Sequence, residues 1–251
     1  MVNLNLMQGD CLVKMKDIEA KSIDMILCDL PYGETNNPKD IVIDFDTLWQ
    51  QYNRIIKDNG CIALFAQGDF YIDLVCSNRN MFRYDLVWDK GLVTGFLNAN
   101  RMPLRKHEQI AIFYKSLPTY NPQFTKGQPL HSRGQAYKSK NMVNHNYNEY
   151  QIIDDYRKGS TDKYPTSILS FTKSHPMVAN HATEKPVSLL EYLINTYTNE
   201  GDTVLDNCMG SGSTGVACIN TKRNFVGIEL DKEIYNNAEN RLLNENLKIV
   251  V

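Results

Sequence analysis

Apolar residues follow two alternating patterns over the first 114 positions, which predicts strands alternating with helices. Ile23–Cys28 (IDMILC) and Cys61–Ala66 are short, nearly continuous apolar runs, as expected of strands covered on both faces. Between them Leu48, Tyr52, Ile55 and Ile56 recur at helical spacing behind a candidate cap, Asp46, and Asn59-Gly60 is expected to end that helix. A further helix is expected from Asp69, with Tyr71, Leu74 and Val75 on one face. Tyr84–Trp88 and Gln109–Tyr114 read as strands, joined by an irregular loop over 89–107 that holds Gly91, Gly95, Asn98 and Asn100.

From about Ser116 to Pro165 the regularity fails. The stretch is rich in Asn, Gln, Ser and Tyr, holds Pro118, Pro122 and Pro129, and has few aliphatic residues. It reads as an insertion (116–164) carried by a core made of 1–115 and 165–251. The pattern resumes with a strand at Ser167–Phe171 and a helix over Val187–Tyr197 that opens behind Pro186. A strand at Thr203–Leu205, a helix at Thr214–Asn220, a strand at Asn224–Leu230 and a helix capped by Asp231 follow. This alternation predicts an α/β fold, a doubly wound, mostly parallel sheet with helices on both faces.

Bulk properties narrow the classes. A chain of 251 residues buries one sizeable core, and no apolar run approaches the roughly 20 residues of a membrane span. The start, Met1-Val2-Asn3-Leu4-Asn5, shows no secretion signal. The six cysteines form no CxxC pair and sit mostly in apolar stretches, which implies thiols in a reducing cytoplasm rather than disulfides. The five histidines have no ligand-like spacing with them, so no metal is expected. The net charge of -2 is unevenly spread: between Lys115 and Tyr164 eight cations face four acids, leaving +4 there and -6 elsewhere.

Two segments carry chemistry. Val204 to Gly215 (VLDNCMGSGSTG) is a strand, a glycine-rich turn and a helix start, an arrangement that lets backbone approach a ligand closely. Glu229, at the end of the next strand, suits the two hydroxyls of a ribose. Gly210-x-Gly212-x-x-Gly215 also satisfies the dinucleotide fingerprint, so an NAD enzyme stands as an alternative. The glycines follow Asp206 by four residues, which leaves room for a nucleoside without a pyrophosphate and favours S-adenosylmethionine.

The second segment is Asp29-Leu30-Pro31-Tyr32, after the buried strand. An exocyclic base amine is a poor nucleophile because its lone pair is delocalised into the ring. Two acceptors aimed at its N–H bonds, the Asp29 carboxylate and the Leu30 carbonyl, would favour a pyramidal nitrogen, and Tyr32 could stack on the base. Such catalysis is mostly positioning, where up to roughly 7–11 kcal/mol is available, with electrostatics added. A plain β-turn is the bland alternative.

Together these segments resemble the β-class of DNA amino-methyltransferases. Asp29-Leu30-Pro31-Tyr32 is similar to the family's DPPY motif, Asp206–Thr214 to its DxFxGSGT loop, His181-Ala182-Thr183-Glu184-Lys185-Pro186 to its HPTQKP element, and Gln8-Gly9-Asp10-Cys11 to its N-terminal GD segment. The motif order is also that of the β-class. Glutamine methyltransferases with an NPPY motif place the cofactor loop first. Leu30 and Asn207 depart from prolines of the pattern, as does Ala182, and Glu184 replaces Gln. The resemblance implies catalysis by Asp29, Leu30, Pro31 and Tyr32. It implies a cofactor site of Asp10, Cys11, Asp29, His181, Thr183, Lys185, Pro186, Asp206, Asn207, Cys208, Gly210, Ser211, Gly212, Ser213, Thr214, Glu229 and Leu230.

In that family Asp in the first motif position leans towards adenine N6 and Ser towards cytosine N4, so adenine is expected and cytosine N4 is the alternative. A cytosine-C5 enzyme is excluded, since no proline here is followed by Cys. The target base must be flipped out of DNA. Arg101, Arg105, Lys106, Lys126, Arg133, Lys138 and Lys140 are candidate phosphate contacts, and tyrosines 120, 137, 147, 150, 156 and 164 candidate stacking groups. Asn36–Asp40 is a candidate lid. The family also implies pairing as a homodimer. A non-catalytic DNA-binding subunit of the same fold is the rival, and RNA as substrate is not excluded by any residue.

Overall fold

The computed structural model describes residues 1–34, 40–129, 160–172 and 184–248. They fall into two compact units, 1–121 with 166–251 and 122–165.

The first unit is built on an eight-stranded sheet. In chain order its elements are β1 (Leu4–Gln8), α1 (Cys11–Lys14), β2 (Ile23–Asp29), α2 (Phe45–Ile55), β3 (Ile56–Ala66), α3 (Gly68–Ser77), β4 (Phe82–Thr94) and β5 (Arg105–Phe113). The second unit contributes the short strands β6 (Thr125–Lys126) and β7 (Asp162–Lys163), which pair with each other. The first unit resumes with β8 (Ile168–Ser170), α4 (Val187–Tyr197), β9 (Thr203–Asp206), α5 (Ser213–Asn220), β10 (Asn224–Glu229) and α6 (Lys232–Lys248).

The strand order is β1-β10-β9-β2-β3-β5-β4-β8. β1, β10, β9, β2 and β3 run parallel, and β5 is antiparallel to both β3 and β4. Successive residues of β2 serve opposite faces. Met25 and Leu27 pack with Leu190, Ile194 and Ala217 of α4 and α5, while Ile26 and Cys28 pack with Leu48, Tyr52 and Leu74 of α2 and α3. The sheet is therefore covered on both sides, as the apolar runs predict.

Several boundaries differ from expectation. α2 is capped by Asp44, whose carboxylate accepts from the Thr47 N–H at 2.9 Å, and Asp46 lies inside the first turn. The helix ends at Ile55, and Asn59-Gly60 lies within β3. Gly60 is needed there because a Cβ would stand 2.9 Å from the Asp24 carbonyl and 2.7 Å from Ile56 Cδ1. β4 and β5 are longer than predicted: pairs Asp89↔His107 and Thr94↔Arg105 turn both ends of the expected loop into a ribbon, and 95–104 form its tip. Strand β1 and helix α1 were not anticipated. Residues 116–121 belong to the first unit, where the Asn121 amide donates to the Asn195 and Thr198 carbonyls.

Candidate active site

The two chemical segments lie at opposite ends of the chain, yet β9 and β2 are neighbours, paired through Met25↔Val204 and Ile26↔Leu205. Asp29 ends β2 and Asp206 ends β9, so both carboxylates stand at the carboxyl edge of the parallel strands. Glu229, the last residue of β10, and Gln8, the last of β1, follow along the same edge. This is where an open α/β sheet takes its ligands.

Asp29 is held from two sides. The Tyr32 hydroxyl donates to Oδ1 at 2.6 Å and the Lys185 ammonium to Oδ2 at 2.7 Å. Tyr32 stacks on Phe70 with centroids 4.8 Å apart and planes 26° apart. Burial, then the Asp29 and Glu108 charges, push the Tyr32 phenol well above its ordinary range, so it stays a donor. Leu30 buries its side chain.

Lys185 also lies 3.1 Å from Glu108 Oε2, and Glu108 Oε1 lies 3.3 Å from Lys90. The ammonium of Lys185 sits 5.0 Å from the Phe65 ring centroid and 5.9 Å from that of Trp88. Burial works against its charge, but Asp29 and Glu108 outweigh burial and raise its proton affinity. Burial likewise favours the neutral form of Glu108, and Lys185 and Lys90 outweigh it, so Glu108 stays ionised below the usual carboxylate range. Glu108 Oε2 nevertheless accepts no well-aligned hydrogen bond among the described residues, although Lys185 is close. Two acids and two cations form a balanced buried chain, Asp29–Lys185–Glu108–Lys90. Lys90 and Glu108 were missed from the sequence.

The glycine-rich loop is shaped by its own backbone. Gly210 and Gly212 have φ of +50° and +82°, and beyond the α-carbon of Gly210 there is open space. Glu229 Oε2 accepts the Gly210 N–H at 3.0 Å and Oε1 the Asp231 N–H at 2.8 Å. Asp206 accepts from the Thr214 hydroxyl at 2.6 Å and the Cys208 N–H at 3.1 Å, and burial pushes its carboxyl up to about 6. Tyr52 fixes the Asn207 side chain at 2.5 Å. Asp10 caps α1, accepting from Leu12 and Val13. Cys11 and Cys208 are free thiols, and Cys11 is buried.

Residues 184–186 join the two segments. Glu184 accepts from the Ser213 hydroxyl at 2.6 Å and pairs with Arg241 at 2.8 Å, Lys185 reaches Asp29, and Pro186 leads directly into α4. Comparison with known proteins then decides the class. The DNA methylase family model for N6 and N4 enzymes matches residues 23–240. The chain belongs to that family. It is an S-adenosylmethionine-dependent DNA methyltransferase with an α/β fold.

Two relatives of this methylase are each 26% identical. One is the DNA adenine methyltransferase YhdJ of Escherichia coli (strain K12), over 91% of this chain and 79% of the relative. The other is the type II methyltransferase M.HpaI of Haemophilus parainfluenzae, over 96% and 74%. Among solved structures, the M1.HpyAVI complex with S-adenosylmethionine superposes with a TM-score of 0.62 at 24% identity, covering 95% of this chain and 98% of that one. The cytosine-N4-specific PvuII methyltransferase superposes at 0.64 with 14% identity, covering 98% and 92%, a likeness of fold.

The remaining predicted residues of the methylase are spread more widely. Arg105 faces Glu34 at 3.6 Å and Lys106 faces Asp89 at 3.2 Å. Arg101 is exposed near the end of the β4–β5 ribbon, and Lys126 pairs with Asp162 inside the second unit. His181, Thr183, Arg133, Lys138, Lys140, tyrosines 137, 147, 150 and 156, and residues 36–39 of the candidate lid lie outside the described residues. Asp40 accepts the Gly33 N–H at 2.8 Å.

Proposed function

We propose that the methylase transfers its methyl group to N6 of adenine in DNA, with Asp29 and the Leu30 carbonyl as the acceptors that hold the amine. The observation that supports this most is the clasp of residues 184–186, which links Asp29 to the start of the helix behind the glycine-rich loop. An amine held at Asp29 then lies beside the cofactor's side of the sheet edge.

S-adenosylmethionine, when bound, supplies an electrophilic methyl group. The open space above Gly210 and the acids Asp10, Glu229 and Asp206 along one edge fit a nucleoside with hydroxyls to be bound. A carboxylate offers about four acceptor positions. Tyr32 and Lys185 take one on each Asp29 oxygen, which leaves lone pairs for an amine N–H. Those two donors also fix the carboxylate's plane, so orientation is set before substrate arrives. Asp29 is the carboxylate to which we assign the proton that leaves the alkylated nitrogen. One face of Tyr32 is taken by Phe70, and its other face is the surface on which a flipped base would stack.

Asp29 at the first motif position, rather than Ser, and the likeness to an adenine methyltransferase favour adenine over cytosine N4. We assign the second unit, 122–165, which holds most of the expected insert, to target recognition, and six free cysteines fit action in a reducing cytoplasm. The deciding experiment incubates the protein with mixed plasmid DNA and labelled S-adenosylmethionine, digests to nucleosides and identifies the product by mass spectrometry. N6-methyladenine is expected. N4-methylcytosine would move the reading to the alternative base. No thermal shift with S-adenosylhomocysteine would favour a non-catalytic subunit.

A further inference from the structure

The β4–β5 ribbon leaves the sheet on the same side as the catalytic edge. Asp29 is level with Phe65, Phe65 with Ile110, and Ile110 with Leu86, and β4 runs in the same direction as β2. From the level of Leu86 and Ile110 to the pair Thr94↔Arg105, β5 advances five residues, at most about 17 Å, and β4 bulges between Asp89 and Thr94. β3 accompanies β5 only to Gln109 and β8 accompanies β4 only to Asp89, so among the described residues the ribbon beyond has no sheet neighbour. Its foot is rigid. Trp88 Nε1 donates to the Phe171 carbonyl at 2.7 Å, and Lys90 is buried against Glu108, which meets Lys185 and through it Asp29.

The ribbon's free end is apolar. Phe96 is 79% and Leu97 99% exposed, and Leu92, Val93 and Met102 are exposed beside them. From Gly91 to Leu104 the only charged residue is Arg101 and there is no acid. A solvent-facing apolar tip of this size marks a contact surface. The reaction itself brings one partner to this edge, a polyanion whose base must leave its stack. A two-stranded ribbon is narrow enough for the major groove of DNA, and apolar side chains inserted between base steps are a recurrent means of holding a stack open.

We propose that the β4–β5 hairpin is a wedge that enters the duplex beside the target, with Phe96 and Leu97 filling the space the flipped base vacates and Arg101 meeting the phosphates. This rests on the reading of the protein as a base-flipping DNA methyltransferase. The test is the double variant Phe96→Ala/Leu97→Ala, which removes exposed side chains and no core packing. Single-turnover methylation is measured on a duplex carrying a base that the wild-type protein methylates, and on the same duplex with an abasic site opposite that base, where unpairing is already done.

The variant is expected to lose about ten-fold or more in rate on the paired duplex and less than about two-fold on the abasic one, a selective cost in barrier. Its mass by light scattering is expected to match the wild type. Equal losses on both duplexes, or no loss on either, would overturn the wedge. A loss accompanied by a change in mass would overturn it in favour of a second copy of this chain as the occupant. If the wild-type protein methylates no base of plasmid DNA, the functional reading itself fails and the wedge falls with it.

Discussion

Lys185→Met isolates the buried charge chain. Met keeps most of the side-chain volume and removes the ammonium, leaving Asp29 and Glu108 without the cation between them. Removing one member of a buried pair typically costs 3–5 kcal/mol. Two features reduce that here. The Asp29 side chain is 33% exposed, so water recovers part of its solvation, and Glu108 keeps Lys90 at 3.3 Å. A loss of about 2–3 kcal/mol follows, which for a chain of this size lowers the melting temperature by roughly 4–12 °C.

The sign with pH distinguishes charge from packing. Lys185 has its proton affinity raised above the ordinary 10.5, so its contribution is full below that value and is lost as pH rises through the folded pKa. Glu108 is lowered from 4.5, so its share is present above 4.5 and is lost as pH falls through the folded pKa. Wild type and Lys185→Met should therefore differ most between about pH 5 and 10, and converge in acid. Differential scanning fluorimetry across pH reads the gap. A gap in melting temperature that is unchanged at pH 3.5 would refute the assignment.

Three other substitutions follow from the same geometry. Asp29→Ala should reduce methyl transfer below about 1% of wild type, given what positioning and electrostatics supply, while S-adenosylhomocysteine still raises the melting temperature; retained turnover would remove Asp29 from catalysis. Gly215→Ala would place a Cβ 2.6 Å from Leu242 Cδ2 and 2.8 Å from Phe225 Cε1, both buried, and overpacking of this kind costs about 1–3 kcal/mol. A urea midpoint equal to wild type would contradict it. Asp206 binds its proton more tightly when folded, from 3.8 up to about 6, so its ionisation costs stability as pH rises through that window, on the order of 3 kcal/mol. Asp206→Asn without cofactor should therefore gain on wild type between pH 4 and 7 in denaturant unfolding, and a gap equal at both pH values would exclude burial as the cause.

The strands and helices of both flanks were legible because buried parallel strands and amphipathic helices write distinct periods into the chain. β2, α4 and β10 sit within one or two residues of their predicted spans. The long β4–β5 ribbon was not legible, because Gly91, Gly95, Asn98 and Asn100 carry the composition of a loop although the backbone on either side pairs. β1 was missed because it is an edge strand, partly exposed, without a full apolar run. Lys90 and Glu108 escaped for a more instructive reason. Both continue a buried alternation, Lys90 after Leu86 and Trp88, and Glu108 before Ile110 and Ile112. Opposite charges on the inward register of two strands are a detectable sign of a buried ion pair, once the strands are known to be neighbours.

Lys185 and Glu184 tie two parts of the site together. The likeness puts Lys185 at the cofactor; its ammonium lies on Asp29 and Glu108, and Glu184 reaches the helix behind the glycine-rich loop. Adjacent side chains on an extended segment point to opposite sides, so a Glu-Lys pair in front of Pro186 serves two anchor points at once. One opposite charge alone would leave Asp29 half-buried against a cation that itself needs compensation, and Glu108 supplies that from a neighbouring part of the sheet. The catalytic carboxylate is thus held through β5 and β4, strands with no motif of their own. A change at Lys90 or Glu108 must then be felt at Asp29 through Lys185.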